Sequence, residues 1–233
     1  MNNTRQVTAA FFVSLGLVIL GLWIYLGFES IANKDRQVVV RGLAEREVEA
    51  NKVTWPLVVK TLGNDLQNVY WQVTSNNGTV LQFLKDNGIE ESEITVGAPS
   101  VNDKYAQSWS SDNPYRYTVT QVITVTSQQV DKVNALMKRQ DELMKLGVAL
   151  SGSSYEYQPT WEYTGLNDVK PEMIAEATRA AREAAQKFAE DSQSEIGGIK
   201  SASQGQFSIT DRDAYTPWIK NVRVVTTITY ELK

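Results

Sequence analysis

The sequence predicts an α+β fold: a single N-terminal transmembrane helix, then a largely antiparallel sheet domain with about three packed helices. From Gln6 to Phe28 no charged residue occurs. A helix of that length spans about 35 Å, enough to cross a hydrocarbon core of about 30 Å. Beyond it, apolar residues alternate at period two in about six segments, and three longer stretches between these carry them at helical spacing. Helices packed on a mainly antiparallel sheet satisfy both patterns.

Residues 1–5 read as a cytoplasmic N-terminus, 6–28 as an uncleaved signal anchor, 29–35 as a linker, and 36–233 as the exported part, in one large domain or two lobes. Phe11, Phe12, Leu17, Ile19, Trp23, Tyr25 and Phe28 supply the anchor's apolar surface. Trp23, Tyr25 and Phe28 cluster where an aromatic belt meets the outer headgroups. Ser30-Ile31-Ala32 offers a cleavage-site pattern, but the apolar run exceeds a signal peptide's core and Glu29 stands close by. Arg5 is the only charged side chain before the span, and short basic leaders stay in the cytoplasm, which places the C-terminal part outside.

In Gln37–Val48, Val38, Val40, Gly42, Ala44 and Val48 share a face. Val53–Leu62 reads as a covered strand, with Pro56 marking an edge or bulge; the short joint from Val48 to Val53 predicts that these two strands pair antiparallel. Asn64 or Asp65 caps a helix through Leu66, Val69, Val73, Leu81 and Leu84, continuous or broken near Ser75–Gly78, and closed by Gly88. A strand follows over Glu93–Val101, then a polar, aromatic loop from Asn102 to Pro114 and a strand over Tyr115–Thr126. Val130, Val133, Met137 and Met144 mark a helix ending near Gly147. A strand is expected from Val148 to Tyr163. The longest helix, Val169–Ser194, carries the stripe Ile174, Ala177, Ala181, Ala184 and Phe188 and stops at Gly197-Gly198. Strands over Lys200–Ile209 and Lys220–Leu232 close the chain.

Composition excludes much chemistry. The chain has no cysteine and no histidine. Thiolate nucleophiles, disulfides, Cys-ligated clusters, Ser-His-Asp triads and imidazole metal ligands are therefore impossible. All 27 Asp and Glu lie beyond the apolar run, against 23 Lys and Arg in the whole chain; this mildly acidic part is no nucleic-acid binder. No phosphate-cradling glycine loop occurs. The acidic groups Glu90/Glu91/Glu93, Glu45/Glu47/Glu49 and Asp211/Asp213 could flank a glycosidic bond or hold calcium, but they read better as a turn, a solvent-facing stripe and an incomplete loop. Asn77-Gly78-Thr79 fits a glycosylation sequon. Tyr105, Trp109, Tyr115, Trp161, Tyr163, Tyr215 and Trp218 gather on polar connections and strand ends, which makes them candidate interface residues.

The opening segment Arg36–Leu62 (RQVVVRGLAEREVEANKVTWPLVVKTL), the helix end Leu84–Val96, the strand and helix of Tyr117–Val133, and the alanine-rich Ala175–Ser208, in that order, resemble the SIMPL-domain family, a domain of unknown function. The chain departs from its pattern at Asn51-Lys52, where many relatives carry Pro-Asp, and around Ser194–Gly198. The resemblance implies a bacterial envelope protein of the inner membrane with a periplasmic domain, without an established catalytic residue. It also implies self-assembly into ring- or channel-like homo-oligomers and a loose link to envelope or oxidative-stress tolerance. The expectation is therefore a non-enzymatic protein without cofactor or metal, its partners the membrane and copies of itself. The alternative is a carboxylate-dependent envelope protein that binds or cleaves glycans on its aromatic loops.

Overall fold

Alternating burial runs through the strands. In β1 (Gln37–Glu49) Val38, Val40, Gly42 and Ala44 are buried and the odd-numbered residues between them exposed, so one face of the strand meets a core. The computed structural model describes residues 14–25, 36–107, 114–151 and 157–233. After a helix α1, described over 14–25, and β1 come β2 (Lys52–Gly63), α2 (Leu66–Asp86), a 3₁₀ turn (Glu91–Glu93), β3 (Ile94–Val96), β4 (Ser100–Asp103), α3 (Lys104–Gln107) and β5 (Tyr117–Ser127). Then follow α4 (Val130–Met137), α5 (Asp141–Lys145), β6 (Thr160–Glu162), α6 (Leu166–Asp191), β7 (Ile196–Gln204), β8 (Ser208–Asp211) and β9 (Ile219–Leu232).

The α+β class holds, with more helices than the three expected. One sheet has the order β1-β9-β7 with β8 beside β9; the other has the order β3-β5-β2-β6 with β4 beside β5. β1 and β2 do not pair with each other, contrary to expectation. The Ala50 N–H donates to Trp218 O (2.8 Å), whereas the next N–H, of Asn51, donates to Glu162 O (3.0 Å). Successive peptides thus engage different strands, and a short joint becomes a passage between sheets.

By its internal contacts the chain divides into two units. One holds the chain up to Arg46 with Asn167–Ser208 and Arg223–Lys233; the other holds Glu47–Leu166 and Ile209–Val222.

In the first unit α6 lays Met173, Ala177, Ala181, Ala185 and Ala189 into the core. Ala181 and Ala185 cluster with Val38, Val40, Ile228 and Tyr230. Ala177 and Ala181 of the expected stripe are buried, but the stripe drifts by one residue toward the C-terminus, where Ala185 and Ala189 are buried while Ala184 is exposed and Phe188 is 50% exposed. Gly42 faces the shared part of the stripe. A Cβ there would lie 1.9 Å from Ala177 O and 2.4 Å from Ala181 N, so helix and strand backbones touch and only small side chains fit around the contact. The helix ends before Gly197-Gly198. Ser194 N–H donates to Ala189 O (2.9 Å) and Gln193 N–H to Glu190 O (3.1 Å), the paired bonds of a Schellman closure, with Gln193 at φ 55° in the position glycine usually takes. The two glycines instead lie in β7, where the register against β9 shifts between Ile196 and Ser201.

The second unit has a core of large side chains: Val53, Trp55, Leu57 and Val59 of β2, Val80, Phe83 and Leu84 of α2, Ile123 and Val125 of β5, with Val133, Leu136, Leu143 and Val148. β2 pairs with β5 in unbroken register from Val53↔Ser127 to Gly63↔Tyr117. Pro56 is thus no bulge, and it sits at a local edge on the side away from β5. It falls between the stretch paired with β6, which ends at Thr54, and the Val59–Leu150 bridge, so its missing N–H costs no ladder bond. α2 runs through Asn77-Gly78 without a break. Asp65 caps it by accepting from Asn68 N–H (2.8 Å), and Gly88 closes it at φ 77°. Asn77 is buried and its Nδ2 donates to Gln121 Oε1, which takes the sequon asparagine out of reach. The helix expected up to Gly147 is two, α4 and α5. The strand expected over Glu93–Val101 splits into β3 and β4, and that over 148–163 reduces to the Leu150 bridge and β6, with 152–156 outside the described residues.

Residues 14–25 are helical and all exposed. They include Leu17, Ile19, Trp23 and Tyr25; Phe11, Phe12 and Phe28 lie outside the described residues. Among the described residues no helix is long and apolar enough to cross a membrane. The anchor expected over 6–28 extends past them at both ends.

Candidate functional site: an aromatic cleft

Three of the expected interface aromatics gather in the second unit, near the end of β6 and the loop leading into β9. Trp161 and Trp218 meet edge to face, with ring centroids 6.1 Å apart. The Trp161 indole N–H donates to Asn134 Oδ1 of α4 (3.0 Å), and its ring packs against the unit's core. Tyr163 is half-buried, its hydroxyl donating to Gly165 O (2.9 Å).

Trp161 is shared by two clefts. One, of about 670 Å³, is lined by Gln158, Pro159, Thr160, Trp161, Asp211, Ala214, Pro217 and Lys220. The other, of about 520 Å³, is lined by Asp131, Asn134, Ala135, Met137, Lys138, Trp161 and Trp218. Both are of a size that takes a small molecule or a short stretch of polymer.

Lys220 was not anticipated. It is 7% exposed, the one buried charged residue among those described, and its ammonium pairs with Asp211. Burying a lysine is tolerated because that carboxylate answers it. The signal was in the sequence: Lys220 stands in the same period-two row as Val222, Val224, Ile228 and Tyr230, which face inward.

The loop between Asp211 and Lys220 is internally braced. Asp213 accepts from the N–H groups of Tyr215 and Thr216 (2.8 Å each) and from the Thr216 hydroxyl. Arg212 bridges Asp213 and Glu47, at 3.0 and 3.3 Å. The hydrogen bond from Thr216, then that from Arg212, holds the Asp213 carboxyl far below the usual carboxylate range. Tyr215 projects from this loop and is 89% exposed.

Tyr105 and Tyr115 lie elsewhere in the unit, beside Arg116. Its guanidinium makes a forked pair with Asp103 (2.8–3.2 Å) and stands 5.8 Å from the Tyr105 ring centre and 4.8 Å from that of Tyr117. The hydrogen bond from Arg116 depresses the Asp103 pKa and raises that of Arg116 itself. Asn64 pins this corner: its Oδ1 accepts from Arg116 N–H (2.8 Å) and its Nδ2 donates to Pro114 O (3.1 Å). Tyr105 and Tyr115 are half exposed, and Trp109 lies outside the described residues.

All but Glu49 of the acidic residues singled out above have a partner among the described residues. Glu90 and Glu93 form a capping box on the 3₁₀ turn, Glu91 pairs with Lys85, Glu45 with Arg223, and Glu47 with Arg212. Among the described residues no group of three Asp or Glu is placed to hold a metal ion. The first cleft offers one indole and a lysine–aspartate pair, the second two indoles and an amide, and both sets suit binding.

A family model described as SIMPL, protein of unknown function (DUF541), matches residues 38–223. No curated protein matches the chain.

Proposed function

The chain belongs to the SIMPL family, and from that premise we propose that it is a non-enzymatic envelope protein, anchored by residues 6–28 in the bacterial inner membrane, whose periplasmic domain self-assembles into a ring- or channel-like homo-oligomer and supports envelope or oxidative-stress tolerance. One observation carries the reading. In the helix over 14–25, Leu17, Val18, Ile19, Leu20, Leu22 and Trp23 are 48–73% exposed. Removing each such side chain from water is worth about 2 kcal/mol, a gain that lipid supplies. Tethering copies in one plane raises their effective concentration, so modest lateral contacts suffice to close a ring.

Membrane fractionation and light scattering test this. The full chain should stay with the membrane after alkaline washing, and Ile19→Asp, which puts a charge near the bilayer centre at a cost of about 3 kcal/mol, should release it. The detergent-extracted chain should scatter as a large oligomer at micromolar concentration. A chain that washes off, or that remains monomeric, sinks the proposal.

A second reading, glycan binding, is favoured by the position of Trp161 between two clefts. It expects peptidoglycan fragments to quench indole fluorescence and Trp218→Ala to abolish the effect; quenching that survives Trp218→Ala rejects it.

A further inference from the structure

The sheet β1-β9-β7 has two edges, and they are built differently. The register of β7 against β9 shifts twice, between Ile196 and Ile199 and between Ile199 and Ser201, and the strand carries Gly197, Gly198 and Lys200. Bulges keep a strand from recruiting another; Lys200 adds nothing at the edge, since its ammonium reaches across the sheet to Gln37 Oε1 of β1 (2.9 Å). β1 contains no proline, its alternation is unbroken from Val38 to Ala44, and over that stretch Arg41 is its one charge.

The direction of its free hydrogen-bonding groups follows from one contact. The Leu232 N–H donates to Arg36 O (2.9 Å), so even-numbered residues of β1 aim their peptide groups at β9 and odd-numbered ones aim theirs outward. Among the described residues β9 is the only strand neighbour of β1. The odd side chains are also the exposed ones, with Val39 59% and Leu43 43% accessible.

We infer that this edge pairs with the same edge of a second copy, antiparallel about a two-fold axis at Leu43. The order of charges selects that occupant. With Leu43 opposite Leu43 of the second copy, Arg41 of each chain faces Glu45 of the other, giving two symmetric pairs. Arg41 is exposed and makes no ion pair among the described residues; Glu45 is held in place by Arg223 (3.1 Å). Sliding the register on by one pair would set Arg41 against Glu47 instead, but would trade the central Leu43–Leu43 contact for Leu43 against Glu45. The inference rests on the self-assembly proposed above and names a two-fold contact within it, the ring itself closing through a second surface.

The chain has no cysteine, so Leu43→Cys introduces a single thiol. Opposed residues of a hydrogen-bonded antiparallel pair have Cα atoms about 5.5 Å apart, within disulfide reach. Mild oxidation of the detergent-extracted full chain should yield a covalent dimer from Leu43→Cys and none from Ile199→Cys on the blunted edge. Arg41→Glu should raise the concentration needed for association about tenfold, with an unchanged circular dichroism spectrum. If the unaltered chain is monomeric in light scattering, the self-assembly reading fails and this inference with it. If it is oligomeric while Leu43→Cys stays uncrosslinked, the edge assignment alone is overturned, whatever Arg41→Glu does.

Discussion

The two units solve the same packing problem with opposite materials. In the first, alanines on α6 and a glycine on β1 let a helix rest on a strand at backbone contact. In the second, leucine, isoleucine, phenylalanine and valine keep helices and sheet apart and fill the space between. Beside the alanines the first unit also buries Val38, Val40, Ile228 and Tyr230, so what sets it apart is the close backbone fit at the helix–strand contact, where dispersion counts most. The difference teaches where each is fragile: one to added atoms, the other to atoms removed.

The largest expected effect tests the second unit. Leu84, fully buried, should cost about 4 kcal/mol when cut to alanine, read as a lower denaturant midpoint. Gly42→Ala should cost about 3 kcal/mol although it adds a single methyl group; a cost below about 0.5 kcal/mol would mean that α6 can lift away and would dissolve the contrast. Gln193→Gly should act the other way, raising stability by about 1 kcal/mol, because it relieves a left-handed backbone at the end of α6. The smallest effect belongs to pH. The Asp213 carboxyl is depressed in the folded chain, so its contribution is complete above the ordinary carboxylate range and is lost as pH falls through the folded value. With no histidine in the chain, the Trp218 fluorescence that reports on its loop should stay level from about pH 5 to 8 and change below about pH 4.

Much of this architecture was legible from the sequence, in proportion to how local its causes are. The faces of β1 and β9, the cap at Asp65 and the closure at Gly88 rest on neighbouring residues, and those expectations match the structure. Partner choice is not local. Nothing near Ala50 and Asn51 says that their amides reach Trp218 and Glu162, so a passage between sheets reads as a hairpin. The stripe on α6 is right at Ala177 and Ala181, where Gly42, far away in sequence, meets the helix, and wrong at its far end, where Ala189 rather than the more hydrophobic Phe188 turns inward. Around the two clefts, Trp161 and Trp218 stand out by residue type, whereas the buried Lys220 does not, because lysines are mostly exposed.

One device recurs at the ends of α2, α5 and α6. Ile89 N–H returns to Leu84 O (3.0 Å), Val148 N–H to Leu143 O (2.9 Å), and Ser194 N–H to Ala189 O (2.9 Å), and at the first two ends the returning residue is itself buried. Those exits have no slack, because an added residue would pull Ile89 or Val148 out of its seat. The connection at 205–207, between β7 and β8, is tied only at its start, where Gly205 N–H donates to Val225 O (2.8 Å), and Gln206 after it is exposed. An epitope tag or a reporter domain inserted there should leave the fold intact, whereas the same insertion after Gly88 or Gly147 should unravel it.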